Sequence, residues 1–516
     1  MQTFMYLYNK KFAFMINYTS NNQLSLSLFK HPFERELDPN NRWVLLAALI
    51  PWDKLASVYA SNLESNIGRK SVDIRHVIGA LIVKHKLRLD DRGTIEMIQE
   101  NIYLQYFCGL KEFTIKPIFD PSLFVDIRKR LGLKEFERFN KYVISKSEDI
   151  KPHQARITKK NTNKKDNDES SSPLNKGSLK IDATVSDQEI KFPTDIDLLN
   201  TSRENLERMI DKMYQFKKDK KKPRTYRRVA RKNFLKISKK KRKSKNEIRK
   251  AIRIQLENVR RDIDYINEYI AKGRSNKLSK RDKTILQTIK EIYEQQKYMY
   301  DNKISTHPKR IVSVYQPYVR PIPRGKARSN TEFGAKINIS LVNGFTRIDR
   351  LNWEAYNEGE DVELQIKNYY QTYACYPAET LADRIYLTRK NRKYFKELDI
   401  KTYGKPLGRP SKDKKTTKQK YRDRKKESKR NQVEGKFGQA KRGYGLNNIR
   451  ARRQDTSESW ISAIIFITNL QQLLKVAEKY GYFFVQNLNS IFESVVFVFL
   501  NVNILKKKIK PNFLVL

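Results

Sequence analysis

Three acidic residues stand in contexts where carboxylates do chemistry. Asp182 lies in Leu179-Lys180-Ile181-Asp182-Ala183-Thr184-Val185, whose alternation predicts a strand, and Asp383 follows the short apolar run Glu379-Thr380-Leu381-Ala382. Glu434 lies in residues 427–441. On one continuous helix turning about 100° per residue, Arg430, Glu434 and Lys441 fall within about 40° of one another, beside an apolar stripe of Val433, Phe437, Ala440 and Tyr444. Taken alone, that stretch also fits a basic surface helix carrying a single Glu. Two strand carboxylates and one helix carboxylate make an oxygen-only ligand set that suits Mg²⁺. A pair of such ions about 3.5 to 4 Å apart activates water and stabilises a leaving 3′ oxygen, which is phosphodiester cleavage. Asp187, Asp195 and Asp197 lie near the same strand and rival Asp182 for the first position, but Asp182 sits within the apolar alternation.

Arg430, Glu434 and Lys441, with three residues between the first two and six between the last two, resemble the signature of DDE transposases from bacterial insertion sequences. Glu427 stands where that signature has Tyr. Similar matches are Asp182-Ala183-Thr184 with Phe192-Pro193-Thr194-Asp195, Arg324-Gly325-Lys326-Ala327 with Thr331-Glu332-Phe333-Gly334-Ala335-Lys336, and Ala382-Asp383-Arg384-Ile385-Tyr386. The resemblance runs from about residue 30 to 478. It implies a mixed α+β or α/β chain: a ribonuclease H-like (retroviral-integrase-like) catalytic domain with a large helical insertion, preceded by a helical N-terminal domain that serves end binding or dimerisation. It further implies a transposase that binds the terminal inverted repeats of its element, hydrolyses the ends and joins the freed 3′-hydroxyls to target DNA. Asp182, Asp383 and Glu434 become the catalytic and metal-binding residues for two Mg²⁺, with Mn²⁺ substituting, while Arg430, Lys441 and Lys436 become DNA contacts. The partners are double-stranded DNA, as ends and as target, and a second copy of the chain on DNA. A cutting-deficient DNA-binding protein of the same origin and a structure-selective nuclease of the same fold are the alternatives.

Composition narrows the classes independently. The 516 residues carry 107 basic against 57 acidic side chains, a net charge of +50 whose self-repulsion favours a polyanionic partner, nucleic acid first. Hydrophobic content of 39% is enough for sizeable cores. Cys108 and Cys375 are too few and too far apart for a disulfide framework or a cysteine zinc site, and the five histidines show no ligand spacing. A cytoplasmic location and no membrane association are expected.

In chain order, residues 1–30 read as a leader without signal-peptide character, and 31–149 as a helical domain. Within it Asp73 caps a helix carrying Arg75, Lys84, Lys86 and Arg88, and a helix opened by Thr94 runs through Ile95, Ile98, Ile102 and Phe107, a pair that permits a helix-turn-helix. Residues 150–177 form a polar linker, and 178–478 the catalytic domain with an insertion at about 198–305. In the insertion Ile252, Leu256, Val259, Ile263, Ile266 and Ile270 make a coiled-coil seam that needs a partner, with Leu286, Ile289, Tyr293 and Met299 on a second helix and Leu206, Met209, Met213 and Phe216 on a third. Between these, residues 217–250 hold nineteen basic against two acidic residues, among them Arg227, Arg228, Arg231 and Lys232, read as a DNA-holding arm. Strand signals return at 310–318, at 335–341 up to Asn343-Gly344, and near Ile400; residues 479–516 are a hydrophobic tail of unknown role.

Overall fold

The computed structural model describes residues 17–20, 36–63, 70–151, 175–219, 221–323, 331–403 and 416–482. The Arg324-to-Ala327 motif, nearly all of the linker and most of the leader and tail lie outside them. The elements are α1 (Arg42–Leu49), α2 (Trp52–Ala60), α3 (Ile74–Leu87), α4 (Asp91–Glu100), α5 (Ile102–Cys108), α6 (Leu123–Arg130) and α7 (Leu133–Ile150), then β1 (Ser178–Asp187). The insertion follows with α8 (Asp195–Met213), α9 (Arg227–Ser238), α10 (Lys245–Ala271) and α11 (Lys280–Asp301). The chain continues through β2 (Arg320–Pro323), β3 (Thr331–Val342), β4 (Phe345–Asn352), α12 (Val362–Tyr373), β5 (Glu379–Leu381), α13 (Arg389–Glu397) and β6 (Lys401–Thr402). It closes with α14 (Thr417–Ser428), α15 (Asn431–Gly438), a π-helical turn at Gln439–Gly443, and α16 (Gln454–Lys479).

The strands form one sheet in the order β2-β3-β1-β5-β6, with β4 also on β3. β1 runs antiparallel to β3 and parallel to β5. The Asn343-Gly344 pair turns the β3-β4 hairpin with φ of 52° and 85°, the two positive values a type I′ turn requires. Directly paired residues share a face, so Asp182 opposite Ile339 and Thr184 opposite Ile337 lie on one side of the sheet. That side packs Ile337, Ile339 and Leu341 against Val433 and Phe437 of α15 and Ile461 and Ile464 of α16. The other side packs Leu179 and Ile181 against Val362 and Ile366 of α12. Asp182 therefore emerges on the face that receives the helix of Glu434.

The same α16 also joins the N-terminal core, where Phe466, Leu470 and Leu473 meet Leu46, Trp52, Phe107 and Phe139. By length and composition α16 could cross a membrane, but 72% of its apolar window is buried in the protein, as befits a central core helix. Asp73 caps α3 through Arg75 N, as expected. The single helix from Thr94 to Phe107 is corrected: α4 starts at Asp91 behind the Asp90 cap, and Asn101 leaves helical dihedrals to cap α5. The cations of α3 do not form a recognition face. Arg75 is fully buried over Trp52, Lys84 is buried against Trp460 and Asp91, and Lys86 lies over Trp43. Burial, with Arg42 nearby, holds the Lys86 ammonium down to about 8.

In the insertion, α8, α10 and α11 share one apolar core containing Leu206, Met209, Leu256, Val259, Ile266 and Ile289. The seam of α10 is thus filled within the chain by α8 as well as α11, so it does not call for a second subunit. Phe216 is not on the third helix: α8 ends at Met213, and Phe216 is 85% exposed. Residues 310–318 form no strand; pairing starts at Arg320. One carboxylate, Asp262, is fully buried in α10. Its Oδ1 accepts from Arg261, whose guanidinium also donates to Thr225 O at 2.7 Å. Burial pushes Asp262 up to about 7 against the opposing pull of Arg261. Because the folded value exceeds the unfolded value of about 3.9, Asp262 stabilises the insertion fully in acid and loses that contribution as pH rises from about 4 through 7. Asp262→Asn should flatten the decline in thermal stability across that window; an unchanged pH profile by calorimetry would show that another group sets it.

Candidate active site

Asp182 is held mid-strand with its Oδ1 accepting from Ala183 N at 2.8 Å. In the parallel pairing Lys180 stands level with Leu381, the last residue of β5, so Asp182 lies two residues beyond the paired segment on β1 and Asp383 two residues beyond it on the chain leaving β5. Asp383 ends the run by capping a short 3₁₀ turn, its Oδ1 accepting from Arg384 N at 2.6 Å. Arg430 precedes α15 and joins the third acid to the first: its Nη1 donates to Asp182 Oδ2 at 3.4 Å and its Nη2 to Glu434 Oε1 at 3.0 Å. Helical spacing of four residues places the arginine under Glu434, while burial of Val433 and Phe437 turns the apolar face of α15 onto β3, the neighbour of β1.

Asp383 and Arg430 line a common cleft of about 480 Å³, which also receives Arg384, Arg392, Arg424 and Tyr403. α14 is fastened beside it by an ion pair from Lys426 to Glu379 at the start of β5. Arg384, Arg392 and Arg424 were missed from sequence. Arg384 directly follows Asp383, which is the nearest signal in the sequence; Arg392 and Arg424 are surrounded by so many other basic residues that nothing singles them out.

The other site residues divide. Lys441 does not share the Glu434 face: the π-helical turn breaks the continuous helix assumed for it, and Lys441 Nζ stands 3.8 Å from Glu332 Oε1. Glu332 lies seven positions along β3 from Ile339, the partner of Asp182, or about 23 Å of strand. Lys436 points into the protein, donating to Gln472 Oε1 at 3.3 Å, and burial with Lys475 nearby holds it down to about 8. The structure thus brings neither lysine to the carboxylates. The rivals of Asp182 have structural work: Asp195 holds Arg310 and Gln296, and Asp197 holds Lys191 and Thr194. On α9, Arg227 is tied to Asp211 through both carboxylate oxygens, at 3.0 and 2.8 Å, whereas Arg228, Arg231 and Lys232 are exposed.

Asp182, Asp383 and Glu434 offer the hard oxygen donors a divalent ion takes. Among the described residues, however, no three acidic, histidine or cysteine side chains stand close enough to hold a metal ion. The guanidinium of Arg430 lies between Asp182 and Glu434 instead, as their counter-charge.

Residues 380–471 match a family model described as Transposase DDE domain, and residues 31–130 match one described as Transposase domain (DUF772). The first match contains Asp383, Arg430, Glu434 and Lys441 and begins beyond Asp182. Over 114 residues, 22% of this chain, the sequence is 30% identical to a Rhizobium meliloti protein described as uncharacterized protein ORF8 in nfe locus. The chain spans 55% of that relative's length. No solved structure matches the chain. Matches to transposase domain models therefore lie in both the N-terminal helical part and the C-terminal part, which bears out the resemblance to insertion-sequence DDE transposases.

The ion pairs of Arg430 are partly exposed, with 17% of the Asp182 side chain and 56% of the Glu434 side chain accessible. Such pairs contribute about 0–1 kcal/mol. Arg430→Ala should therefore shift the melting temperature by no more than about 4 °C. A much larger drop on thermal denaturation would make the arginine a structural strut.

Proposed function

We propose that this chain is a DNA transposase with a ribonuclease H-like catalytic domain, which cuts phosphodiester bonds at the ends of its element and joins the resulting 3′-hydroxyls to target DNA. One observation carries the reading: Arg430 ties Asp182 of β1 to Glu434 of a separate helix and lines one cleft with Asp383, which follows the neighbouring strand β5. The strand order, the antiparallel β3-β4 hairpin and the helix-borne acid after β6 support the fold assignment.

Asp182, Asp383 and Glu434 would hold two Mg²⁺, which supply an activated water and stabilise the leaving oxygen. Arg430 holds its two carboxylates in place, and its planar fork suits a phosphate once DNA arrives. Arg384, Arg392 and Arg424 give the cleft the charge to hold the strand beside Asp383. Joining needs two ends in one complex, so two copies of the chain on DNA, in the cytoplasm, belong to this reading.

Asp182→Ala, Asp383→Ala and Glu434→Ala should each lower cleavage of an inverted-repeat oligonucleotide by more than about a hundredfold, the loss typical of lesser, outer-shell changes, while binding is retained. A variant that cuts at the wild-type rate removes its residue from the site. A second reading, a DNA-binding protein that no longer cuts, is favoured by the Arg430 bridge and by the absence of a ready metal cluster among the described residues. Wild-type protein that binds this oligonucleotide and leaves it intact in Mg²⁺ and in Mn²⁺ would establish it.

The basic helix α9 supplies a sequence-independent grip in either reading. Changing Arg228, Arg231 and Lys232 together to Ala should reduce the slope of log affinity against log salt by up to about 2.7, three phosphate contacts' worth. An unchanged slope would make α9 a solvated surface. Arg227 is left out of that variant because Asp211 already takes its guanidinium.

A further inference from the structure

A second cleft, outside the acidic site, opens between helices α8 and α11 of the insertion and the loop leading into α16. Its volume is about 410 Å³, and its walls carry Arg208 of α8, Arg281 of α11 and Arg452 of the loop around Tyr315, Asn205 and Glu204. Arg281 and Arg452 are exposed. Arg208 is half exposed, and its partner Asp282 also takes Lys212. Glu204 accepts from Asn200 at 3.0 Å and pairs with Arg203, so its charge is partly met from within α8. The Tyr315 hydroxyl is held by Asn205 at 3.0 Å, which fixes its ring in the wall of the cleft. Three guanidinia on three elements, with one fixed aromatic ring, form a surface for a run of phosphodiesters.

The place of this cleft relative to Asp182 follows from the backbone. Ile449 N donates to Asp187 O at 2.9 Å and Glu189 N to Ile449 O at 2.9 Å, while the Gln188 side chain donates to Ala451 O. Arg452 is therefore anchored one residue past a loop pinned to Gln188. Gln188 lies six positions beyond Asp182, about 20 Å along the strand, which equals about six base-pair steps of duplex at 3.4 Å each. The loop packs on the face of the sheet that bears Asp182, since Leu446 and Ile449 share the apolar cluster of Val433 and Phe437.

We propose that this cleft is a second anchor for duplex DNA, gripping backbone phosphates about six base pairs from the bond addressed by Asp182, Asp383 and Glu434. The proposal rests on the transposase reading and assigns a partner to residues which that reading does not use.

The test is Arg281→Ala/Arg452→Ala, both exposed, with an unchanged melting temperature as the check on folding. Binding is measured against salt on element-end duplexes extending about twelve base pairs either side of the cut position, and on duplexes trimmed to about three, which bracket the estimated distance. On the long duplex the variant should lose affinity, and its salt slope should fall by up to about 1.8, two contacts' worth. On the trimmed duplex variant and wild type should agree. An unchanged slope on the long duplex, an equal fall on the trimmed one, or the full fall on a single strand of the same length would each overturn the proposal. Failure of the underlying reading is distinguishable: wild-type protein would bind no duplex, or Asp182→Ala would still cut.

Discussion

The structure depends on one helix that has to be covered all round. α16 carries Ile461 and Ile464 toward the sheet and Phe466, Leu470 and Leu473 toward the N-terminal helices, and each such side chain gains about 1.5–3 kcal/mol from leaving water. Neither layer alone could bury it. Asn469 adds direction to this apolar contact: it accepts from Thr346 N at 2.8 Å and donates to Thr346 O at 2.7 Å and to Asn140 at 2.8 Å, joining β4 and α7 through one satisfied buried amide. With α16 fixed, the face of the sheet beside it has a set depth, and α15 with the π-helical turn after it seats into what remains through Val433, Phe437 and Ala440. The position of Glu434 is thus a consequence of packing that begins in the N-terminal helices.

How much of this could be read from the sequence depends on whether local chemistry or tertiary packing decides. The alternation around Asp182, the Asn343-Gly344 turn and the Asp73 cap are local signals, and the structure follows them. Asp182 could be suspected from its strand alternation and Asp383 from the short apolar run before it, but the parallel β1-β5 pairing that makes their strands neighbours is contained in no local pattern. The helical spacing of Arg430 and Glu434 held over one turn. It did not carry to Lys441, because a π turn starting five residues past Glu434 alters the rotation; Lys436, a DNA contact only by resemblance, is turned toward Gln472 of α16.

Buried cations were the other illegible feature. Arg75 and Lys84 look in sequence like the charged edge of a DNA-reading helix, yet aromatic faces and Asp91 make an interior position tolerable for them. In the insertion the seam of α10 was visible as a period, but a period names no partner, and α8, separated in sequence by the whole basic run, supplies much of it.

The net charge of +50 therefore belongs to two populations that differ in surroundings. Some cations are framework: Arg128 and Lys84 on Asp91, Arg274 on Asp219, and Arg203 on Glu207 sit in largely buried pairs, where added salt screens little. Others, on α9 and around the two clefts, are exposed, and exposed charges more than about 10 Å apart are screened at ordinary ionic strength. Arg430 stands between these populations. It is paired to two carboxylates, yet both pairs are open to solvent, so their attraction is weak enough for an incoming phosphate to compete for the same guanidinium. Two carboxylates drawn together on a strongly basic protein take a counter-charge of that kind, one that holds the acids in place without being buried with them.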